Sequence, residues 1–195
     1  MVSTISITTG SMPSWRLHEK WAAKAGIDPY VARQVDRLID RDLGYHDIGR
    51  RRVSDCWSVL YSVVLPIYLY EGARAFFLHH ALDRLAYIVR RRIMRAKEAG
   101  QPYARVDTTV LKEIEELIWR LIPTGQPTLS KRGRIGFSRF FTTGRAAPKW
   151  PELGWHPRFD PYLISCAERV LEFLYAHFSD IVHDIAEEIK SKLRP

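Results

Sequence analysis

Several residue types and spacings that define protein classes are missing from this sequence. It has no asparagine, and its 195 residues include only 3 methionines and 2 cysteines. The sequence thus has few thermolabile side chains, and 27% of its residues are charged. This combination is typical of hyperthermophile proteins. Cys56 and Cys166 are far apart and lack C-x-x-C spacing. This spacing excludes a cysteine zinc site and leaves a single disulfide open.

Common catalytic and targeting patterns are also absent. There is no phosphate-binding P-loop, no G-x-G-x-x-G, no H-E-x-x-H and no nucleophile elbow. A signal peptide begins with a positive segment followed by an apolar one, and the start of this sequence lacks that pattern. Its uncharged and mainly apolar run at 56–70 is too short to span a bilayer. We therefore expect an intracellular or virion protein that is not secreted by a signal peptide and does not insert into membranes.

Positive charge, carried mainly by arginine, is the most pronounced feature that is present. The net charge is +8, and 22 arginines stand against 8 lysines. The planar guanidinium group offers a fork of donors that matches phosphate oxygens. The composition therefore indicates contact with a polyanion such as nucleic acid.

Helical periodicity dominates the chain and predicts an all-α fold class, with a single domain of about six helices. We divide it into an extended N-terminal arm (1–14), a helical core (15–122), a long basic loop rich in Gly, Pro and aromatic residues (123–161), and a C-terminal helix packed on the core (162–195). Cap and stop signals predict helices over 14–25, 28–40, 53–70 with a kink at Pro66, 72–99 and 107–121.

Basic residues concentrate in three clusters. Such clusters favour coating a polyanion over reading a base sequence. Aromatic side chains in the long loop either stack on bases or anchor that loop on the core. The candidate nucleic-acid-binding residues are Arg50, Arg51, Arg52, Arg90, Arg91, Arg92, Arg95, Lys131, Arg132, Arg134, Arg139, Arg145, Lys149 and Arg158.

The stretch LGYHDIGRRR at 43–52 carries a second signal. Its HDIGR core resembles that of the HD-domain metal-dependent phosphohydrolases, and the resemblance covers about residues 15 to 90. It implies an all-helical fold and a divalent metal ion held by His18, His46, Asp47 and Asp83. His79 lies four residues before Asp83, so both side chains share one helix face and could reach the same centre. The alternative reading is that His46 and Asp47 cap a helix beside Gly49.

Two functions therefore compete. The first is a non-enzymatic protein, without a cofactor, that coats or packages nucleic acid without sequence specificity and self-associates into an oligomer or filament. Double-stranded DNA is the expected partner, although the sequence does not separate DNA from RNA. In general character such a protein is similar to the nucleocapsid or capsid proteins of hyperthermophilic archaeal DNA viruses. The second is an HD-type phosphohydrolase or nuclease that depends on a divalent metal ion.

Overall fold

Helices form every regular element in the described part of the chain. The computed structural model describes residues 13–42, 59–103, 106–122 and 160–193, and within these ranges it contains no strand. The predicted all-α class is confirmed. The α-helices are α1 (Trp15–Lys24), α2 (Pro29–Arg37), α3 (Leu65–Glu98), α4 (Val110–Arg120) and α5 (Pro161–Lys192), with π-helical turns at Leu38–Asp42 and Leu60–Val64.

The helix ends follow the cap residues of the sequence. The Ser14 hydroxyl accepts a hydrogen bond from the amide of Leu17 at the start of α1, and Gly26 follows its end with a φ of +66°. Asp28 and Asp160 accept backbone amides in the first turns of α2 and α5. Each of these side chains satisfies amides that an N-terminal turn leaves without a helical partner.

Helix α3 contains a kink. Separate helices were predicted over 53–70 and 72–99, with a kink at Pro66. The structure has two helical stretches within α3, and they meet at non-helical backbone at Leu69, where φ is 54° and ψ is −151°. The predicted break between two helices is therefore present, close to the expected position. Pro66 lies in the first turn, where its missing N–H costs least. The irregularity therefore lies three residues beyond the proline.

Gly72 is inside α3 and does not begin it. A Cβ atom at this position would lie 2.5 Å from the Cβ of Tyr68, closer than real side chains approach. Gly72 follows the irregular residue Leu69, and only glycine leaves room at this position for the side chain of Tyr68.

Helix α3 forms the centre of the core, and α1, α2, α4 and α5 pack around it. The segment that leads into α3 is apolar, and the side chains of Val59, Leu60, Val63, Val64 and Leu65 are buried. The C-terminal helix was predicted to pack on the core, and it does so through a stripe of apolar side chains. Phe173 and Ile189 of this stripe are partly buried, and the buried members are Leu163, Val170, Leu174, Phe178, Ile181 and Ile185.

Polar contacts fix α1 against α5. The Ser14 backbone N–H and hydroxyl each donate to the Glu188 carboxylate at 2.8 Å. Lys20 donates to Asp184 at 2.5 Å. These contacts hold α1 in place along its length, and α1 carries the first of the candidate ligands, His18.

Three of the predicted segments fall wholly or mostly outside the described residues. They are the arm, the stretch that contains His46 and Asp47, and the long basic loop. None of the helices in the described ranges is both long enough and apolar enough to cross a membrane.

Candidate metal centre

Five histidine and aspartate side chains from separate helical segments converge inside the domain. His18 comes from α1, Asp36 from α2, Asp40 from the π-helical turn that follows it, and His79 and Asp83 from α3. Asp36 and Asp40 are four residues apart, as are His79 and Asp83, so each pair projects from one helix face. We call these five residues the His/Asp cluster.

Asp83 lies between the two imidazole rings. Its Oδ1 atom is 3.3 Å from Nε2 of His18, and its Oδ2 atom is 3.2 Å from Nε2 of His79. Asp40 approaches the same nitrogen of His79, with Oδ1 at 3.4 Å. The Nε2 atoms of both rings therefore face carboxylate oxygens.

Asp36 lies on the other side of the rings. Its Oδ1 atom is 2.8 Å from Nδ1 of His79, in a buried hydrogen bond, and 3.8 Å from Nδ1 of His18. An ionised carboxylate only accepts hydrogen bonds, so Nδ1 of His79 is the donor. Nε2 of His79 is then left facing Asp40 and Asp83.

Many polar atoms of the cluster are buried without a hydrogen-bond partner. The side chains of His18, His79 and Asp83 are 2%, 0% and 9% exposed. Five buried atoms of these three side chains make no hydrogen bond within the described residues: both nitrogens of His18, Nε2 of His79 and both oxygens of Asp83. The two Nε2 atoms lie within ion-pair distance of the Asp83 oxygens, but without the geometry of a hydrogen bond. Buried polar atoms are nearly always satisfied in proteins, so this group of donor and acceptor atoms is a place where an ion or a water could bind.

The electrostatics of the cluster also favour a cation. Three carboxylates meet here, and no lysine or arginine is buried among the described residues. Burial by itself would lower the pKa of His79, but the charge of Asp83 and the contacts with Asp36 and Asp40 raise it well above its usual value. Burial would likewise raise the pKa of Asp83, yet the charge of His79 and the contact with His18 hold it well below its usual range. The cluster therefore stabilises positive charge, whether a proton or a metal ion carries it.

His80, beside the cluster, has a different environment. Its ring packs edge-on against Phe76 at a centroid distance of 4.5 Å and against His79 at 5.4 Å. Burial and the neighbouring charge of His79 lower the pKa of His80 to about 3. His80 is thus a neutral core side chain at physiological pH.

The exposed edge of the cluster lies at Asp40, whose side chain is 18% exposed. The indole N–H of Trp15 donates to Oδ2 of Asp40 at 2.7 Å. Asp40 belongs to a π-helical turn, and such turns occur frequently at functional sites. Of the five side chains, Asp40 is the one placed to meet a molecule from solvent.

The predicted ligands are only partly described. The structure brings His18 and Asp83 together, while His46 and Asp47 lie outside the described residues. The sequence indicated His79 as a further candidate but gave no prediction for Asp36 and Asp40, which both contact His79. The signal that could have found them is the repeated four-residue spacing of D-x-x-x-D on one helix and H-x-x-x-D on another.

The predicted basic residues are likewise divided. Arg91 and Arg95 are exposed on α3, and Arg90 and Arg92 are half-buried. The remaining ten lie outside the described ranges: Arg50, Arg51, Arg52, Lys131, Arg132, Arg134, Arg139, Arg145, Lys149 and Arg158.

The donor set fits a divalent transition-metal ion. One ligand atom each from His18, His79 and Asp83 lies within 4.8 Å of the others, and Asp40 adds a carboxylate beside His79. Two imidazoles and a carboxylate with open positions are found in catalytic zinc sites and in non-haem iron sites. A scan of protein-family models, a search of curated proteins and a search of solved structures found no match to this chain.

Proposed function

We propose that this protein is a divalent-metal-dependent phosphohydrolase that acts on nucleic acid. The observation that carries the proposal is the convergence of His18, His79 and Asp83, with buried donor atoms that lack hydrogen-bond partners. The excess of arginine supports a substrate that carries phosphate. The resemblance of HDIGR to the HD-domain phosphohydrolases agrees with the same chemistry.

The side chains divide the work by position. His18, His79 and Asp83 would hold the ion, because their donor atoms converge. When bound, a divalent ion polarises a phosphoryl oxygen and makes an attacking water easier to ionise near neutral pH. Asp40 lies at the exposed edge, where a carboxylate can accept the proton that the water loses. Although burial opposes it, the contact with His79 lowers the pKa of Asp40, so this carboxylate is ionised at neutral pH.

Hydrolysis by metal-reloaded protein tests the proposal. The protein is stripped with a chelator, reloaded with Mn²⁺, Co²⁺, Zn²⁺ or anaerobic Fe²⁺, and assayed with bis-p-nitrophenyl phosphate and with oligonucleotides. We expect hydrolysis only after reloading, and a loss of at least about 100-fold for Asp83→Asn, because the ion no longer has its shared carboxylate. Glu172→Gln removes an exposed carboxylate of α5 and should retain activity. Equal activity in Asp83→Asn and wild type would contradict the proposal.

A second candidate function, coating of nucleic acid without chemistry, is favoured by an exposed surface of α3. Tyr87 is 44% exposed. The guanidinium carbons of Arg84 and Arg91 lie 5.1 and 5.6 Å from the centroid of its ring. Among the described residues, neither Arg91 nor Arg95 forms an ion pair with a carboxylate. An aromatic ring beside arginines suits stacking on bases and neutralisation of phosphates.

This second candidate includes packaging of DNA by a viral nucleocapsid and self-association through the N-terminal arm. Deletion of residues 1–12 tests the assembly. We expect the helical domain to keep its circular dichroism spectrum and to lose its higher-order species in analytical ultracentrifugation. Loss of helical signal after the deletion would instead mean that the arm stabilises its own domain.

A further inference from the structure

We infer that Asp36 is a positioning residue that orients the imidazole ring of His79, on the side of the ring opposite to the other carboxylates of the metal centre. The inference rests on the proposed metal-dependent function. It concerns a carboxylate that the HDIGR resemblance does not include.

The contacts of His79 define this role. Its Nδ1 atom donates to Asp36 at 2.8 Å, while its Nε2 atom faces Asp40 at 3.4 Å and Asp83 at 3.2 Å. Asp36 and Asp40 are one helical turn apart, so both can reach the ring of His79. They contact opposite nitrogens of that ring. Asp36 thus fixes the tautomer with the proton on Nδ1 and leaves the Nε2 lone pair for an ion.

The ring of His18, like that of His79, has its Nδ1 atom on the side of Asp36, but at a longer distance. Its Nδ1 atom lies 3.8 Å from Oδ1 of Asp36, and its Nε2 atom lies 3.3 Å from Asp83. One carboxylate therefore faces the Nδ1 side of both rings, and another faces the Nε2 side of both. The Asp36 side chain is 5% exposed, so solvent does not compete for this place.

The chemistry of such an arrangement is that of an outer-shell ligand. A carboxylate that accepts from the non-coordinating nitrogen holds the ring in place and makes the coordinating nitrogen a better donor. Loss of such a partner typically weakens metal affinity 10- to 100-fold without removing the site. Asp36 is accordingly expected to control affinity, while His18, His79 and Asp83 determine whether an ion binds at all.

Metal affinity of Asp36→Asn tests the inference. Apo protein is titrated with Zn²⁺ in competition with a chromophoric chelator, and with Co²⁺ while its visible spectrum is recorded. We expect a dissociation constant about 10- to 100-fold above that of wild type, one ion per chain, and a Co²⁺ spectrum with unchanged coordination number. Glu172→Gln, the control, should bind as wild type does.

The possible failures differ in meaning. Unchanged affinity of Asp36→Asn overturns the positioning role and leaves the proposed function intact. If Asp36→Asn binds no ion, or binds Co²⁺ with an altered visible spectrum, the positioning role is overturned and Asp36 is a direct ligand. If the wild type binds no ion, the proposed function fails as well. Should Asp36→Asn not fold, nitrogen NMR of zinc-loaded wild type decides: a proton on Nδ1 of His79 supports the inference, and coordination through Nδ1 of His79 overturns it.

Discussion

Nε2 of His18 lies 3.3 Å from Oδ1 of Asp83, although the whole of α2 separates their helices in the chain. The contact joins the first helix of the domain to its central helix inside the core. Both side chains are nearly excluded from solvent, and neither atom makes a hydrogen bond among the described residues. A cation between them would satisfy both groups.

Binding of a metal ion should raise thermal stability. At a free Zn²⁺ or Mn²⁺ concentration 100-fold above its dissociation constant, the ion stabilises the folded state by about 2.7 kcal/mol, because it binds that state alone. For a domain of this size, the melting temperature should rise by about 5–10 °C. Differential scanning calorimetry with and without chelator measures the shift.

Two variants control that measurement. Asp83→Asn should abolish the shift, and His183→Ala, which removes an exposed histidine from α5, should keep it. An equal shift in Asp83→Asn and wild type would place the stabilising ion elsewhere.

Leu69 gives a prediction about backbone conformation. Its φ of 54° and ψ of −151° fall in a region that glycine adopts and other residues rarely do. Its side chain is 66% exposed, so little packing is lost on truncation. We expect Leu69→Gly to stabilise the fold by about 1 kcal/mol in urea denaturation. Leu69→Ala keeps a Cβ atom and should give no such gain; equal effects of the two substitutions would contradict the strained conformation.

Glu188 gives a prediction about pH. Burial alone would raise the pKa of Glu188, but hydrogen bonds from Lys192 and Ser14 lower it below 4.5. A carboxylate with a lowered folded-state pKa stabilises the protein above its unfolded pKa and loses that contribution as pH falls. Wild type should therefore be more stable than Glu188→Gln at pH 7, and the difference should shrink at a pH below about 4.

Urea denaturation of both proteins at the two pH values measures this difference. Glu172→Gln removes an exposed carboxylate from the same helix and should alter stability little at pH 7. A difference for Glu188→Gln that grows as the pH falls would contradict the contact with Ser14 and Lys192.

The arginines of α3 give a prediction about nucleic acid. In metal-free protein, Arg91→Ala combined with Arg95→Ala should weaken binding to all DNA sequences alike. It should also reduce the slope of log K against log salt by about 1.8, because each neutralised phosphate contributes about 0.9. Fluorescence anisotropy at several salt concentrations measures the slope. Lys112→Ala combined with Arg169→Ala removes the same charge from α4 and α5 and serves as control; an equal loss in both pairs would mean that only net charge matters.

The helices could be predicted well wherever short-range chemistry determines them. Ser14, Asp28 and Gly26 mark helix ends through contacts within a few residues, and the structure has these ends. The break in α3 was predicted between residues 70 and 72 and lies at Leu69, whereas the kink expected at Pro66 was misplaced by three residues. Pro66 can occupy a first turn without disturbing it, whereas the irregular backbone at Leu69 has no comparable residue signal.

The candidate site was accessible to sequence reasoning only in part. His18 and Asp83 were proposed as ligands through the resemblance of HDIGR to the HD-domain phosphohydrolases, and His79 through its position one turn before Asp83. Asp36 and Asp40 look like ordinary polar positions of an amphipathic helix. Their place against His79 depends on how α2 packs on α3, and packing between helices is not encoded in local spacing.

Anomalous X-ray scattering from crystals of zinc-loaded protein shows whether the His/Asp cluster binds a metal ion. Data collected at the zinc absorption edge locate the ion without reference to activity. We expect a peak inside the domain, at about 2.0–2.2 Å from Nε2 of His18, Nε2 of His79 and an oxygen of Asp83. A crystal grown with excess zinc that shows no peak at these atoms would contradict this expectation.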